Sequence, residues 1–255
     1  MRKLHPKSAG RLTFSYRQPY HGGTGTFTGE NTVALPTITL RSLDAGWNYE
    51  RWERELPNDG NRYEVIEGIL YMTTAPGYFH QWIVRRLDRY IGVPLEQQGL
   101  AYAATAPIGV LMPGCEPVQP DFALVRRDRA GIISERRIRG APDLIAEVLS
   151  PSNPEQDTVI KRRVYARAGV PEYWIIRPET RDVLVCRNPD ATLGDYTFTL
   201  LVGAAETLLA HPFPIRMSVS MMISPLTLYD PILADADCVA TQCYPACPHD
   251  LATSR

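Results

Sequence analysis

Residues 142–176 read PDLIAEVLSPSNPEQDTVIKRRVYARAGVPEYWII, and this stretch sets acidic and basic residues where a core should be apolar. Asp143 to Leu149 is a short apolar run with Glu147 inside it, closed by Ser150-Pro151, which is the pattern of a buried strand. A carboxylate in such a strand is costly unless something pairs with it. Downstream, Asn153 is placed to cap a helix, with Pro154 at the first position, Gln156 three residues after the cap and Gly169 as the stop. That gives about four turns.

On this helix Val164, Tyr165 and Ala168 follow Lys161 by three, four and seven residues, so Lys161 shares the apolar face and points toward the sheet. Glu172 to Ile176 has the composition of a second strand, and strand, helix, strand in about 30 residues predicts a parallel crossover. Glu147 and Lys161 can then approach each other. Taken alone the pair reads equally as an internal ion pair or as part of a site. A third residue favours the site. The apolar run Val118 to Val125 is a further strand, with Asp121 near its start directly after Pro120.

Pro120-Asp121, then Glu147 in AEVLSPS, then Lys161 ahead of YARAGVPEYWII resemble the Uma-two family, a bacterial branch of the PD-(D/E)XK restriction-endonuclease-like superfamily. The resemblance runs from near Leu43 to about Ile223 and takes in YEVIEG at residues 63–68 and His80 at a helix start. It implies an α/β fold with a restriction-endonuclease-like core: a mixed central β-sheet flanked by α-helices, with an N-terminal helix and β-hairpin extension. It also implies that Asp121 and Glu147 bind a magnesium or manganese ion. The usual superfamily lysine two residues after the acid is replaced here by Leu149, and the resemblance implies that Lys161 on the next helix has taken its role. The expected activity is metal-dependent endonuclease cleavage of DNA by a homodimer. The alternatives are a nucleic-acid-binding or partner-binding protein that keeps the fold without cleaving.

The rest of the chain supplies further candidates. Arg62 to Met72 reads as a β-hairpin around Glu67-Gly68, and its Glu64 is either a fourth site residue or a solvated strand carboxylate. A helix from about Phe79 to Ile91 carries His80, which either joins the site or is a plain hydrogen-bonding residue. Upstream, Asp44 is placed to cap a helix through Leu56, and Pro57 to Gly60 reads as a turn. Met112 to Pro117 reads as a loop.

Six arginines lie between Arg126 and Arg139 against Asp128 and Glu135. With a net charge of −1 overall, attraction to nucleic acid has to come from such a local patch. Arg136, Arg137 and Arg139 are the candidates there for phosphate contact, with Arg162 on the crossover helix. The bland alternative is a solvated basic loop.

A hydrophobic content of 44% with 22% charged residues is that of a soluble globular chain. No apolar run approaches the ~18 residues of a membrane span, and the basic N-terminus lacks a secretory apolar segment. Five cysteines fit a reduced, cytoplasmic setting. One domain is expected over residues 41–225, with a flexible extension at 1–40 and a tail at 226–255. The tail holds Cys238, Cys243, Cys247 and His249, whose spacing is not that of a standard zinc finger. The Gly-rich stretch near residues 21–25 has no GK[ST] and is not read as a phosphate loop.

Overall fold

The computed structural model describes residues 14–15, 39–57, 61–150 and 154–224. The expected Asn153 cap, the turn completed by residues 58–60, most of the N-terminal extension and the cysteine-bearing tail lie outside the described residues.

After β1 (Phe14–Ser15) and β2 (Thr39–Ser42) comes a short helix, α1 (Tyr49–Glu55). Its cap is Asn48, whose side chain accepts from the Arg51 N–H at 2.9 Å, and not the expected Asp44. Trp47 is buried and its N–H donates to the Gly68 carbonyl at 3.0 Å. That contact ties residues 44–47 to the hairpin and delays the helix by one turn. Asp44 instead pairs with Arg51 at 2.8 Å.

The predicted hairpin forms as β3 (Arg62–Ile66) and β4 (Ile69–Thr73). Both turn residues, Glu67 and Gly68, have positive φ (49° and 75°), as a two-residue turn that matches strand twist requires. The next helix, α2 (Tyr78–Leu87), continues through a π-helical segment, Asp88–Gly92, into α3 (Val93–Gln97). Then follow β5 (Ala101–Thr105), β6 (Gly109–Met112), β7 (Cys115–Val118) and β8 (Phe122–Arg126).

The stretch Met112–Pro117 is not a loop but a tight connection at Pro113-Gly114 into β7, which pairs with β6 and, through Cys115 and Ile66, with β3. The run Val118 to Val125 is not one strand either: β7 and β8 belong to different sheets. The chain crosses between sheets at Gln119-Pro120-Asp121, where Pro120 has no N–H to give a ladder.

The basic connection forms a 3₁₀ segment (Arg127–Ile132) and β9 (Arg137–Arg139), leading to β10 (Leu144–Val148). The crossover helix is a π-helical segment (Gln156–Lys161) running into α4 (Arg162–Arg167). It stops at Gly169, where the Gly169 and Val170 N–H groups return to the Ala166 and Tyr165 carbonyls, a Schellman close. The chain ends with β11 (Glu172–Arg177), β12 (Asp182–Asp190), β13 (Asp195–Val202), β14 (Thr207–Ala210), β15 (Ile215–Ser218) and α5 (Val219–Ile223).

One sheet has the order β1-β2-β4-β3-β7-β6-β9, the second β13-β12-β11-β10-β8-β5, and β14-β15 form a ribbon. The predicted parallel crossover is present, with Glu147 opposite Ile175 in the β10–β11 pair; β8, β12 and β13 are antiparallel. The second sheet is mixed, and its central strands β10 and β11 are buried on both faces. Leu144, Ala146 and Val148 pack with Ile83 and Leu87 of α2, while Ile145 packs with Tyr165 and Val164 of α4 and with Ile66 and Cys115 of the first sheet. Alternation along β10 therefore turns Glu147 to the α4 side. Among the described residues no helix is long and apolar enough to cross a membrane.

Candidate active site

Glu147 is set into the apolar face of β10 and is 2% exposed. Its Oε1 accepts from Lys161 Nζ at 2.9 Å and from the Tyr165 hydroxyl at 2.8 Å. Lys161 reaches it because the π-helical segment before α4 carries the ammonium inward, where it also meets Glu64 at 3.3 Å and Asp157 at 3.4 Å. Asp121 sits at the sheet crossing just before β8. Its N–H donates to Glu147 Oε2 at 3.3 Å, and its own Oδ2 accepts from the Val148 N–H at 2.8 Å. These reciprocal bonds lock the two carboxylates side by side.

From the hairpin, β3 contributes Glu64 and Arg62, two residues apart and so on one face. Glu64 Oε1 accepts from the Gln119 N–H at 2.7 Å, and Oε2 from Gln156 Nε2 at 3.2 Å. Gln156, at the start of the crossover helix, thus reaches into the site. His80 on the first turn of α2 places Nε2 3.0 Å from Asp121 Oδ2. The structure thus brings Asp121, Glu147, Lys161, Glu64 and His80 together around a cleft of about 50 Å³.

Sequence reading did not find Arg62, Asp157, Gln156 or Tyr165. Asp157 stands four residues before Lys161, a helical-neighbour signal. Arg62 shares strand parity with Glu64, but nothing local says that β3 lies beside Asp121.

Four buried or nearly buried acids, Glu64, Asp121, Glu147 and Asp157, face two permanent cations, Arg62 and Lys161. Burial opposes charge throughout, and the partners decide which acids stay ionised. Burial would raise the Asp121 carboxyl, but Arg62 and His80 outweigh it and hold it well below its usual range. Lys161 and Arg62 likewise hold Glu64 down against its burial. Glu147 carries the surplus: burial, with Asp121 and Asp157 adding to it against Lys161, pushes it up to about 8. Asp157 is raised by its burial too. Lys161 remains charged, because Glu147, Glu64 and Asp157 more than offset its desolvation.

The arginines proposed for phosphate contact divide. Arg136 and Arg137 line a cavity of about 630 Å³ next to the cleft, together with Trp52, Tyr63, Gln119 and Arg62. Arg137 lies 5.2 Å from the Trp52 ring centre, and Arg139 lies 5.8 Å from that of Tyr49, both on α1. Arg162 forms a two-pronged pair with Asp195 at 2.6 and 3.2 Å.

Residues 48–221 match the profile of the Uma2 family, described as "Putative restriction endonuclease". The chain belongs to the Uma2 family. A crystal structure from Anabaena variabilis ATCC 29413, titled as that of "a putative nuclease belonging to DUF820", has 19% identity and a TM-score of 0.59, covering 70% of this chain and 98% of the other. At that identity the likeness is one of fold. No curated protein matches. The Uma2 match spans every residue of the cleft, from Arg62 on β3 to Lys161 before α4.

Proposed function

We propose that this Uma2 chain hydrolyses phosphodiester bonds in DNA with a divalent magnesium or manganese ion, as a cytoplasmic homodimer. The observation that carries the reading is Lys161, buried and charged, 2.9 Å from a strand-borne carboxylate that is itself locked to a second one. A purely apolar arrangement of this size would be as stable or more so, so such a cluster at the edge of an open cleft reads as chemistry.

The donor set fits a hard divalent ion in kind. The groups are carboxylate oxygens, and the acids outnumber the permanent cations by two: Glu64, Asp121, Glu147 and Asp157 against Arg62 and Lys161. Asp121 and Glu147 would hold the ion, which supplies a Lewis acid for the phosphoryl oxygen and a water of lowered pKa. Among the described residues no group of three or more His, Cys, Asp or Glu side chains is arranged as a metal site, and every oxygen of Glu64, Asp121 and Glu147 meets a protein donor. Lys161 would orient the attacking water and offset charge on the pentavalent transition state. Glu64 and Asp157 keep that ammonium fixed. Arg136 and Arg137 extend positive charge from the cleft along the path of a strand.

A second reading, a family member that binds nucleic acid without cutting it, is favoured by that same occupation of the acids. Incubating supercoiled DNA with the purified chain, with and without magnesium or manganese, separates the two. Metal-dependent nicking that Lys161→Met abolishes supports hydrolysis. Retention of DNA without nicking under either ion leaves the binding reading.

A further inference from the structure

Arg62 stands where three buried carboxylates meet. One guanidinium nitrogen is 2.7 Å from Asp121 Oδ1, and the other is 3.4 Å from Glu64 Oε1 and 3.7 Å from Glu147 Oε2. The second nitrogen also bonds the Gln119 carbonyl. Asp121 and Glu147 are the two residues that would hold the divalent ion. Magnesium needs carboxylate oxygens about 2.0–2.1 Å away in near-octahedral order, and a guanidinium bonded to Asp121 and 3.7 Å from Glu147 opposes it by volume and by like charge.

The side chain is not sealed in as a permanent part of the core. It is 17% exposed, its buried Nε makes no hydrogen bond, and it forms the wall between the small acidic cleft and the cavity of about 630 Å³ beyond. On the cavity side lie Trp52, Gln119, Arg136 and Arg137, with room for a displaced guanidinium and with the charge that a DNA phosphate would meet there.

We propose that Arg62 is the resident cation of the metal-free site and exchanges with the divalent ion. When the ion enters, the guanidinium leaves Asp121 and Glu147 and turns into the adjacent cavity, where it faces the backbone of the bound strand. A single charge is thereby replaced by a double one among acids that outnumber the cations. The closed arrangement offsets the repulsion between the side-by-side carboxylates until the ion arrives. This inference rests on the metal-dependent reading above.

The test is Mn²⁺ binding to the metal-free full chain, followed by calorimetry and by the electron spin resonance signal of free Mn²⁺, for the wild type and for Arg62→Met. If the open state is a minor one, its scarcity weakens the apparent affinity in proportion. Removing the competing cation should then tighten Mn²⁺ binding by about tenfold or more, and added Mn²⁺ should raise the melting temperature of the variant more than that of the wild type. Equal affinities would overturn the exchange and leave metal-dependent hydrolysis standing. No Mn²⁺ binding to either protein would overturn both. If Arg62→Met does not fold, wild-type crystals soaked in Mn²⁺ decide. An anomalous peak beside Asp121 with Arg62 turned into the cavity is expected, whereas a peak there with Arg62 still bonded to Asp121 overturns the exchange.

Discussion

Lys161 keeps 3% of its side chain exposed and has three carboxylates within 3.4 Å. Lys161→Met preserves much of the volume while leaving Glu147 and Glu64 short of a cation. We expect it to cost about 3 kcal/mol at pH 8, within the range for breaking a buried pair, and to abolish nicking. Denaturant unfolding and a nicking assay on one preparation check both. Glu147 offers a separate test through pH. Its pKa, pushed up to about 8, lies above the ~4.3 of an unfolded glutamate. Between those values the folded state binds the extra proton, so the contribution of Glu147 to stability falls as pH rises through that window. Asp121, held low by Arg62 and His80, has the opposite sign: its stabilisation is present above ~3.9 and is lost as pH falls. Glu147→Gln should therefore melt with a flatter dependence between pH 5 and 9 than the wild type, the difference amounting to a few kcal/mol at the alkaline end. Parallel curves would mean that Glu147 is ionised throughout.

At the scale of elements, the site is made where two sheets meet. β3 brings Arg62 and Glu64 from one sheet, β10 brings Glu147 from the other, the crossing just before β8 brings Asp121, and the π-helical start of the crossover adds Asp157 and Lys161. π-Helical turns are uncommon and concentrate at functional sites. The basic connection before β10 is tied to this arrangement through α1, since Arg137 and Arg139 lie over its aromatic rings and Arg136 approaches Glu53 at 3.6 Å. Replacing Arg136, Arg137 and Arg139 with Ala should weaken DNA binding and lower the slope of log K against log salt by roughly 1 for each phosphate that the protein no longer neutralises. Anisotropy titrations from about 50 to 200 mM salt, a range over which such pairings are strongly felt, measure it. An unchanged slope assigns the loop to solvated surface.

For the molecule as a whole, the described elements form one compact unit ending at Ile223, with apolar cores on both faces of the mixed sheet. The contribution of β1 to it is a two-residue pairing on the outer edge of β2, and neither the stretch before residue 39 nor residues 235–255 carries a periodic apolar face. A chain trimmed to residues 39–234 should melt within a few degrees of the full one, since ~1 kcal/mol corresponds to roughly 2–4 °C at this size. Scanning calorimetry of both chains checks this. If chelators lower the melting point of the full chain alone, the tail cysteines bind a metal.

The elements legible in the residues alone are those whose signals are local. The β3–β4 hairpin follows from Glu67-Gly68, the parallel crossover from a run of apolar residues, a helix stop at Gly169 and a second apolar run, and the inward-facing Glu147 and Lys161 from periods of 2 and 3.6 residues. Those periods are properties of the backbone and need no partner. Three features arise only when the chain is folded: Gln119-Pro120-Asp121 crosses between sheets, Gln156 reaches Glu64 in the site, and Arg62 bridges Asp121, Glu64 and Glu147. Arg62 and Asp121 are 59 residues apart in the chain. What joins them is the pairing of β3 with β7, which is chosen by how two sheets bury their faces against each other and leaves no mark in the residues near either one.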